Sequence, residues 1–265
     1  MSALREGHPC RQTRLTQLNF KLTIAYDGTD YVGWQRQATG PSIQGLLEDA
    51  LKPIEGAAVT VHGAGRTDAG VHALAQVASV QLTAAIDAAT LGRALNAVLP
   101  PDVRVVGVEE TASDFHARFS AIGKRYEYRV VNGAVVLPFD HRYVWHVPQR
   151  LDIRAMTEAS KALVGRHDFG AFQAAGQATH STERTIQSIE WRDASPRLTL
   201  HIQGDGFLRH MVRTIVGTLV EVGLGRRDAA DVARILASRD RSQAGATAPA
   251  KGLFLAAVLY HREFD

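Results

Sequence analysis

The sequence predicts an α+β protein made of two similar halves around a mainly antiparallel sheet. Three observations carry that expectation. Each half of the 265 residues mixes a few strands with two or three helices. Each half also contains a strand–loop–helix unit. Two strands of the second half are joined by a hairpin across "DASP", which makes them antiparallel neighbours. No residue-level repeat relates the halves, so their likeness rests on element order.

The elements follow in turn. "NFKLTIAYDG" alternates Phe20, Leu22, Ile24 and Tyr26 with Lys21, Thr23 and Ala25, the pattern of a half-buried strand, and stops at the turn signal Asp27-Gly28. Ser42 caps a helix whose Ile43, Leu46, Leu47, Ala50 and Leu51 keep helical spacing. "AQVASVQL" is a strand. "TLGRALNAVLPPD" is a helix from Thr90, stopped by Pro100-Pro101. "VRVVGVEE" is a strand. The second half starts near Phe119. In the strand "KRYEYRVVNG", Tyr126, Tyr128 and Val130 share one face, and Arg125, Glu127 and Arg129 share the other. "DIRAMTEASKALVG" is a helix capped by Asp152. "TIQSIEWRD" and "PRLTLHIQGDGF" are the hairpin strands. "FLRHMVRTIVGTLVEVG" is a long apolar helix ending at Gly223, "DAADVARILAS" another helix, and "GLFLAAVLY" a closing strand. The organisation is therefore an extension over 1–18, one α+β half over 19–118 and a second over 119–265.

Composition narrows the function classes. The chain is 45% apolar and 22% charged, ordinary for a globular protein. No apolar run is long enough to span a membrane. The polar, arginine-bearing start "MSALREGHPCRQTRLTQ" reads as a mobile extension rather than a signal peptide, and a cytoplasmic location is the default. The one cysteine, Cys10, excludes an internal disulfide and a cysteine-based metal site. The 11 histidines form no H-E-x-x-H pattern, so no metal is expected. Of the 30 basic residues, five are lysine (Lys21, Lys52, Lys124, Lys161, Lys251) and the rest arginine. Arginine grips phosphate bidentately and stacks on bases, which suits nucleic acid. A GC-rich coding sequence would give the same bias.

"VHGAGRTDAGVHALAQV" imitates a nucleotide loop without being one. Gly63 and Gly65 begin a G-x-G-x-x-G pattern, but its third glycine is replaced by Asp68, which would repel a pyrophosphate. Gly65 and Gly70 have phosphate-loop spacing, yet Val71 and His72 stand where a lysine and a hydroxyl are required. What remains is a loop that allows close backbone approach and displays Arg66, able to hold phosphate, and Asp68, able to act as nucleophile or base. A plainer reading makes Arg66 and Asp68 a loop-stabilising pair, with Asp68 capping a helix.

"HGAGRTDAGVHALAQVASV" resembles the aspartate motif of the tRNA pseudouridine synthase A family. "AYDGTDYVGWQRQ", "SIQGLLEDAL", "DFHARFSAIGKRYEYRV", "GDGFLRHMVRTIVGTLVEVG" and "TAPAKGLFLAAVLY" resemble its other segments, in family order from Asn19 to Tyr260. Lys251 and the long segment before Leu18 depart from the family pattern without touching its chemistry. The resemblance implies the pseudouridine synthase fold with two ferredoxin-like halves. It implies isomerisation of uridine at positions 38, 39 and 40 of the tRNA anticodon stem-loop, no cofactor, and a homodimer with RNA crossing both subunits. It makes Asp68 the catalytic aspartate, Arg66 its aid in handling the flipped nucleotide, Tyr126 the ring on the target base and Arg213 the partner of Asp68.

These roles suit the chemistry. A base held in a stack must be extruded before its glycosidic bond can be reached. A tyrosine ring returns about 1–3 kcal/mol by stacking. Tyr128 either extends that wall or packs in the core. An arginine in an otherwise apolar helix needs a carboxylate, and Arg209, four residues before Arg213, shares its face. Arg36, Arg118, Arg125, Arg226 and Arg227 are candidate phosphate contacts. Two other readings stay open at this point: transfer chemistry on a free nucleotide with Asp68 as acceptor, and a non-catalytic RNA-binding protein.

Overall fold

In the computed structural model of the protein, which describes residues 17–174, 176 and 179–261, the first half runs β1 (Leu18–Tyr26), α1 (Ile43–Glu55), β2 (His62–Gly63), β3 (His72–Leu82), α2 (Ala88–Val98) and β4 (Val103–Thr111). The second runs β5 (Gly123–Asn132), β6 (Trp145–Val147), α3 (Ile153–Ser160), β7 (Gly165–Asp168), β8 (Glu183–Ala194), β9 (Arg197–Gly204), α4 (Met211–Gly223), α5 (Asp231–Ser238) and β10 (Leu253–Leu259). The segment over 1–16, including Cys10, lies outside the described residues.

The strands form one sheet in the order β4-β1-β3-β10-β5-β9-β8-β7, with β2 on β3 and β6 on β5. Within the first half, β4-β1-β3-β2 is the four-one-three-two order of a ferredoxin-like unit. In the second half β10-β5-β9-β8 repeats it. All these pairings are antiparallel. The halves meet along the parallel pair β3 and β10, where Phe254 lies opposite His72 and Leu255 opposite Ala73.

Local chemistry accounts for most boundaries. The Ser42 hydroxyl accepts from the Gly45 N–H at the start of α1, and the Asp152 carboxylate accepts from Ala155 N–H at the start of α3. These are N-caps that satisfy otherwise orphaned donors. The second helix starts before Thr90, because Asp87 is its cap and accepts from the Thr90 N–H. The helix over "DIRAMTEASKALVG" ends early and tightens into a 3-10 turn over Lys161–Leu163. The apolar helix expected from Phe207 begins only at Met211, because His210 sits at φ 65, a left-handed conformation that breaks helical continuity. Strands β2, β6 and β7, two to four residues each, are too short to show alternation. The Ala194–Arg197 pair closes the β8–β9 hairpin through Ser195-Pro196.

The core joins both halves. Phe20, Leu22 and Ile24 of β1, Leu47 and Leu51 of α1, Tyr128 of β5, Leu200 and Ile202 of β9 and Ile215 and Leu219 of α4 belong to one buried cluster. Helix α4 is buried on nearly every side. That makes its arginine, Arg213, the exception to be explained.

Candidate active site

A row of paired residues crosses the seam between the halves. Tyr26 lies opposite Ala73, Ala73 opposite Leu255, Leu255 opposite Tyr126 and Tyr126 opposite Ile202. Directly paired residues share a face. Tyr126 of the second half is therefore two strands from the start of β3, and the loop carrying Asp68 feeds directly into β3.

That loop is shaped by close backbone packing. The Val71 N–H donates to the Asp68 carbonyl at 3.1 Å, closing a turn whose third residue, Gly70, has φ 75. Only glycine takes that position without strain. Beneath the loop, Gly33 at φ 105 lies so close that a Cβ there would come 2.5 Å from the Thr67 carbonyl oxygen and 3.0 Å from the Asp68 carbonyl carbon. The Trp34 N–H donates to the Thr67 carbonyl at 3.1 Å. The Tyr26 hydroxyl lies 2.8 Å from the Thr67 hydroxyl. The aspartate is thus presented from a fixed backbone. It precedes a strand, so it caps no helix.

Three cationic or imidazole groups converge on its carboxylate. Arg213 Nη1 donates to Asp68 Oδ2 at 3.1 Å. His210 Nε2 is 3.5 Å from the same oxygen. Arg209 Nε is 3.9 Å from Oδ1. The Asp68 side chain is 24% exposed and that of Arg213 15%, so their attraction is only partly screened. Arg213 is held in turn: its Nε donates to the Ala248 carbonyl at 2.8 Å, and the Ala248 N–H donates to the Arg213 carbonyl at 3.1 Å. The segment carrying Ala248 approaches α4 over Gly217, where a Cβ would meet the Ala246 carbonyl oxygen at 1.7 Å.

Tyr126 is buried, and Phe207 meets its ring edge-on at 5.1 Å between centroids. Among the described residues nothing hydrogen-bonds its hydroxyl. Burial, then Tyr26 and the charge of Asp68, push that phenol well above its ordinary range. Tyr26 is pushed up to about 12, by burial working against hydrogen bonds from Thr67 and Gln76. Both phenols are neutral at working pH. The His210 imidazole is pushed down, mainly by burial, against the pull of Asp68 and with Arg213 and Arg209 adding to the lowering. It is neutral near pH 7.

Asp68, Arg213 and Tyr126 are thus brought together. Arg66 is exposed, and it pairs with no carboxylate among the described residues. The loop-stabilising Arg66–Asp68 pair is not formed. Tyr128 lies in the core, fully buried, with its hydroxyl donating to the Pro249 carbonyl at 2.8 Å. Arg36 is occupied by Glu48 and Asp49, and Arg227 by Glu221. Their own acids compete with phosphate. Arg118, Arg125 and Arg226 are exposed. Sequence reasoning does not single out His210, and only its place directly before "MVR" hints at it. Arg209 reaches Asp68 from the turn before α4, not from a shared helix face.

A cleft of about 1050 Å³ lined by Asn132, Arg150, Asp152, Leu198 and Arg227 contains none of Asp68, Tyr126, His210 and Arg213. Among the described residues no three metal-ligating side chains cluster, and no helix is long and apolar enough to cross a membrane.

Comparison with known proteins adds an independent line. The family described as tRNA pseudouridine synthase matches residues 22–120 and 159–261. A tRNA pseudouridine synthase A of Myxococcus xanthus is 49% identical over 242 residues, covering 91% of this chain and 91% of that protein. One of Solidesulfovibrio magneticus is 48% identical over 247 residues, covering 91% and 90%. The protein named tRNA pseudouridine synthase A 2 of Clostridium tetani is 43% identical over 245 residues, covering 92% and 99%.

Proposed function

The chain belongs to the tRNA pseudouridine synthase family, an enzyme family isomerising uridine in tRNA, and from that premise we propose that it acts at positions 38, 39 and 40 of the anticodon stem-loop. The proposal includes a homodimer with RNA crossing both subunits, and a cytoplasmic location. The single observation that carries the site is the 3.1 Å pairing of Asp68 with Arg213 beside the ring of Tyr126.

The reaction breaks the N1–C1′ bond, turns the uracil and joins C5 to C1′. C5 loses a proton and N1 gains one, so atoms and oxidation level are unchanged. Nothing in that balance requires a redox cofactor. The uridine leaves its stack at a cost of a few kcal/mol. Tyr126 offers a ring face worth about 1–3 kcal/mol in return. Arg213 holds the Asp68 carboxylate by a 3.1 Å hydrogen bond, and the turn Asp68–Val71 fixes the backbone that carries it. Asp68 then either attacks C1′ or takes a proton from the sugar. Arg66, exposed two residues away, is free to hold the phosphate of the extruded nucleotide.

The test is direct. The protein is incubated with unmodified tRNA and no cofactor, and pseudouridine is mapped by carbodiimide-primed reverse-transcription stops. Stops at positions 38 to 40 support the proposal. Stops confined elsewhere would reassign the target, and no stops would remove the activity.

A further inference from the structure

A second feature stands beside the catalytic loop and is used by none of the chemistry above. Phe119 is 77% exposed. Its ring lies 4.4 Å from that of His116, which lies 5.0 Å from that of His62. Single exposed apolar residues are common, but three rings in a row at the surface are not explained by packing.

The platform is rigid. His116 Nδ1 accepts from the Arg118 N–H at 3.1 Å and the Phe119 N–H at 3.4 Å. The Ala117 N–H donates to the Ser79 hydroxyl of β3 at 3.1 Å, and the Tyr260 hydroxyl donates to the Ala117 carbonyl at 2.7 Å. Phe119 is therefore held out into water by a segment clamped on both sides.

Positive charge surrounds it. The Arg118 guanidinium lies 5.7 Å from the centre of the Phe119 ring. Lys124 approaches the catalytic loop, its Cε 3.0 Å from where a Cβ on Gly65 would sit. Burial first, then the charges of Arg118 and Arg184, pull the Lys124 ammonium below its ordinary range. Those two arginines are therefore close to it. Among the described residues no carboxylate pairs with Lys124, Arg118 or Arg184. Cations without acids, interleaved with exposed rings, are what single-stranded nucleic acid recognises: rings for base faces, cations for the backbone. An interface with a protein would leave three like charges unneutralised.

We infer that Phe119, His116 and His62, with Lys124 and Arg118, form a second nucleotide subsite that stacks an unpaired base of the same RNA whose uridine is presented to Asp68. This rests on the RNA reading of the site. The subsite lies on the Gly65 side of the catalytic loop. One nucleotide is held here while another of the same strand is turned toward Asp68, which keeps the strand open during the reaction.

The experiment uses the full chain and two probes: an unmodified anticodon stem-loop RNA, and a fully paired RNA duplex of equal length. Affinities are read by fluorescence anisotropy for wild type, Phe119→Ala and Phe119→Tyr. Phe119→Ala should bind the stem-loop roughly ten- to a hundredfold more weakly, the effect of one lost base–aromatic stack. Its affinity for the duplex, which has no free base, should stay within twofold. Phe119→Tyr should restore stem-loop binding. Lys124→Ala should lower the salt slope of stem-loop binding by about one unit. Unchanged stem-loop affinity in Phe119→Ala would overturn the subsite. So would equal losses on both probes together with a change in sedimentation, which would make this a protein-docking surface. Pseudouridine formation by wild type is scored separately. If wild type makes none, yet Phe119→Ala still loses the stem-loop selectively, the activity fails and the subsite stands.

Discussion

Asp68 and Arg213 are 145 residues apart in the chain and 3.1 Å apart in space, Oδ2 to Nη1. One belongs to the loop entering β3 and the other to the buried helix α4. Neither half of the protein contains the pair on its own.

Asp68→Asn keeps the size of the side chain and removes its charge. Turnover on unmodified tRNA should be abolished, while tRNA affinity stays within a few-fold. Single-turnover pseudouridine mapping and anisotropy check both. A variant making pseudouridine at the wild-type rate would take Asp68 out of the chemistry.

Arg213→Ala leaves the half-buried Asp68 carboxylate and the Ala248 carbonyl without their donor. Leaving such groups unsatisfied costs about 1–3 kcal/mol, so the urea midpoint should fall and turnover should collapse. His210 and Arg209 remain near the carboxylate, which places the expected loss at the lower end of that range. An active variant with an unchanged midpoint would show the ion pair to be dispensable.

Gly33→Ala tests the loop rather than its charges. The left-handed φ of 105 and the 2.5 Å approach to the Thr67 carbonyl leave no room for a Cβ. The peptide bearing Asp68 must move. Turnover should drop by at least tenfold, with a stability loss of about 1–3 kcal/mol from backbone strain. Circular dichroism melts alongside initial rates give the comparison, and retention of full rate would contradict the packing described.

Tyr126→Phe keeps the ring and removes a hydroxyl that has no partner among the described residues. Its phenol is pushed well above the ordinary range by burial, so it carries no negative charge at working pH. Stem-loop affinity and the thermal midpoint should stay near wild type. If turnover alone is lost, the hydroxyl serves as a proton donor.

Four imidazoles, His72, His116, His201 and His210, have pKa values lowered chiefly by burial. Each binds its proton more weakly in the folded chain than in the unfolded one, whose ordinary value is about 6.5. As pH falls below that value the unfolded chain takes up protons first. Stability therefore declines on acidification through the window from about 6.5 down to the lowered folded values. Urea midpoints at pH 7.5 and 5.5 should differ in that sense. His72, 1% exposed and stacked on Phe254 at 4.6 Å, is the least exposed of the four, so His72→Asn should flatten the profile.

Much of the fold and the centre of the site are legible in the amino-acid sequence. Alternation marks β1 and β5, caps at Ser42 and Asp152 set two helix starts, and the lone arginine within apolar α4 announces a carboxylate partner. What stays hidden depends on contacts distant in the chain. The left-handed His210 breaks the helix next to the groups that meet Asp68, and no local pattern encodes that. Gly33 is required by a peptide some thirty-five residues later. The role of Gly217 depends on Ala246. Arg36 reads as a phosphate contact because Glu48 and Asp49 face it only once α1 has formed.

The seam between the halves has a consequence for synthesis. Leu255 of β10 stands between Ala73 and Tyr126, and it follows both Asp68 and Tyr126 in the chain. Asp68 is translated early, but the surface that Tyr126 completes beside it awaits a strand made much later. A nascent chain, however well folded its first half, carries the aspartate without a site.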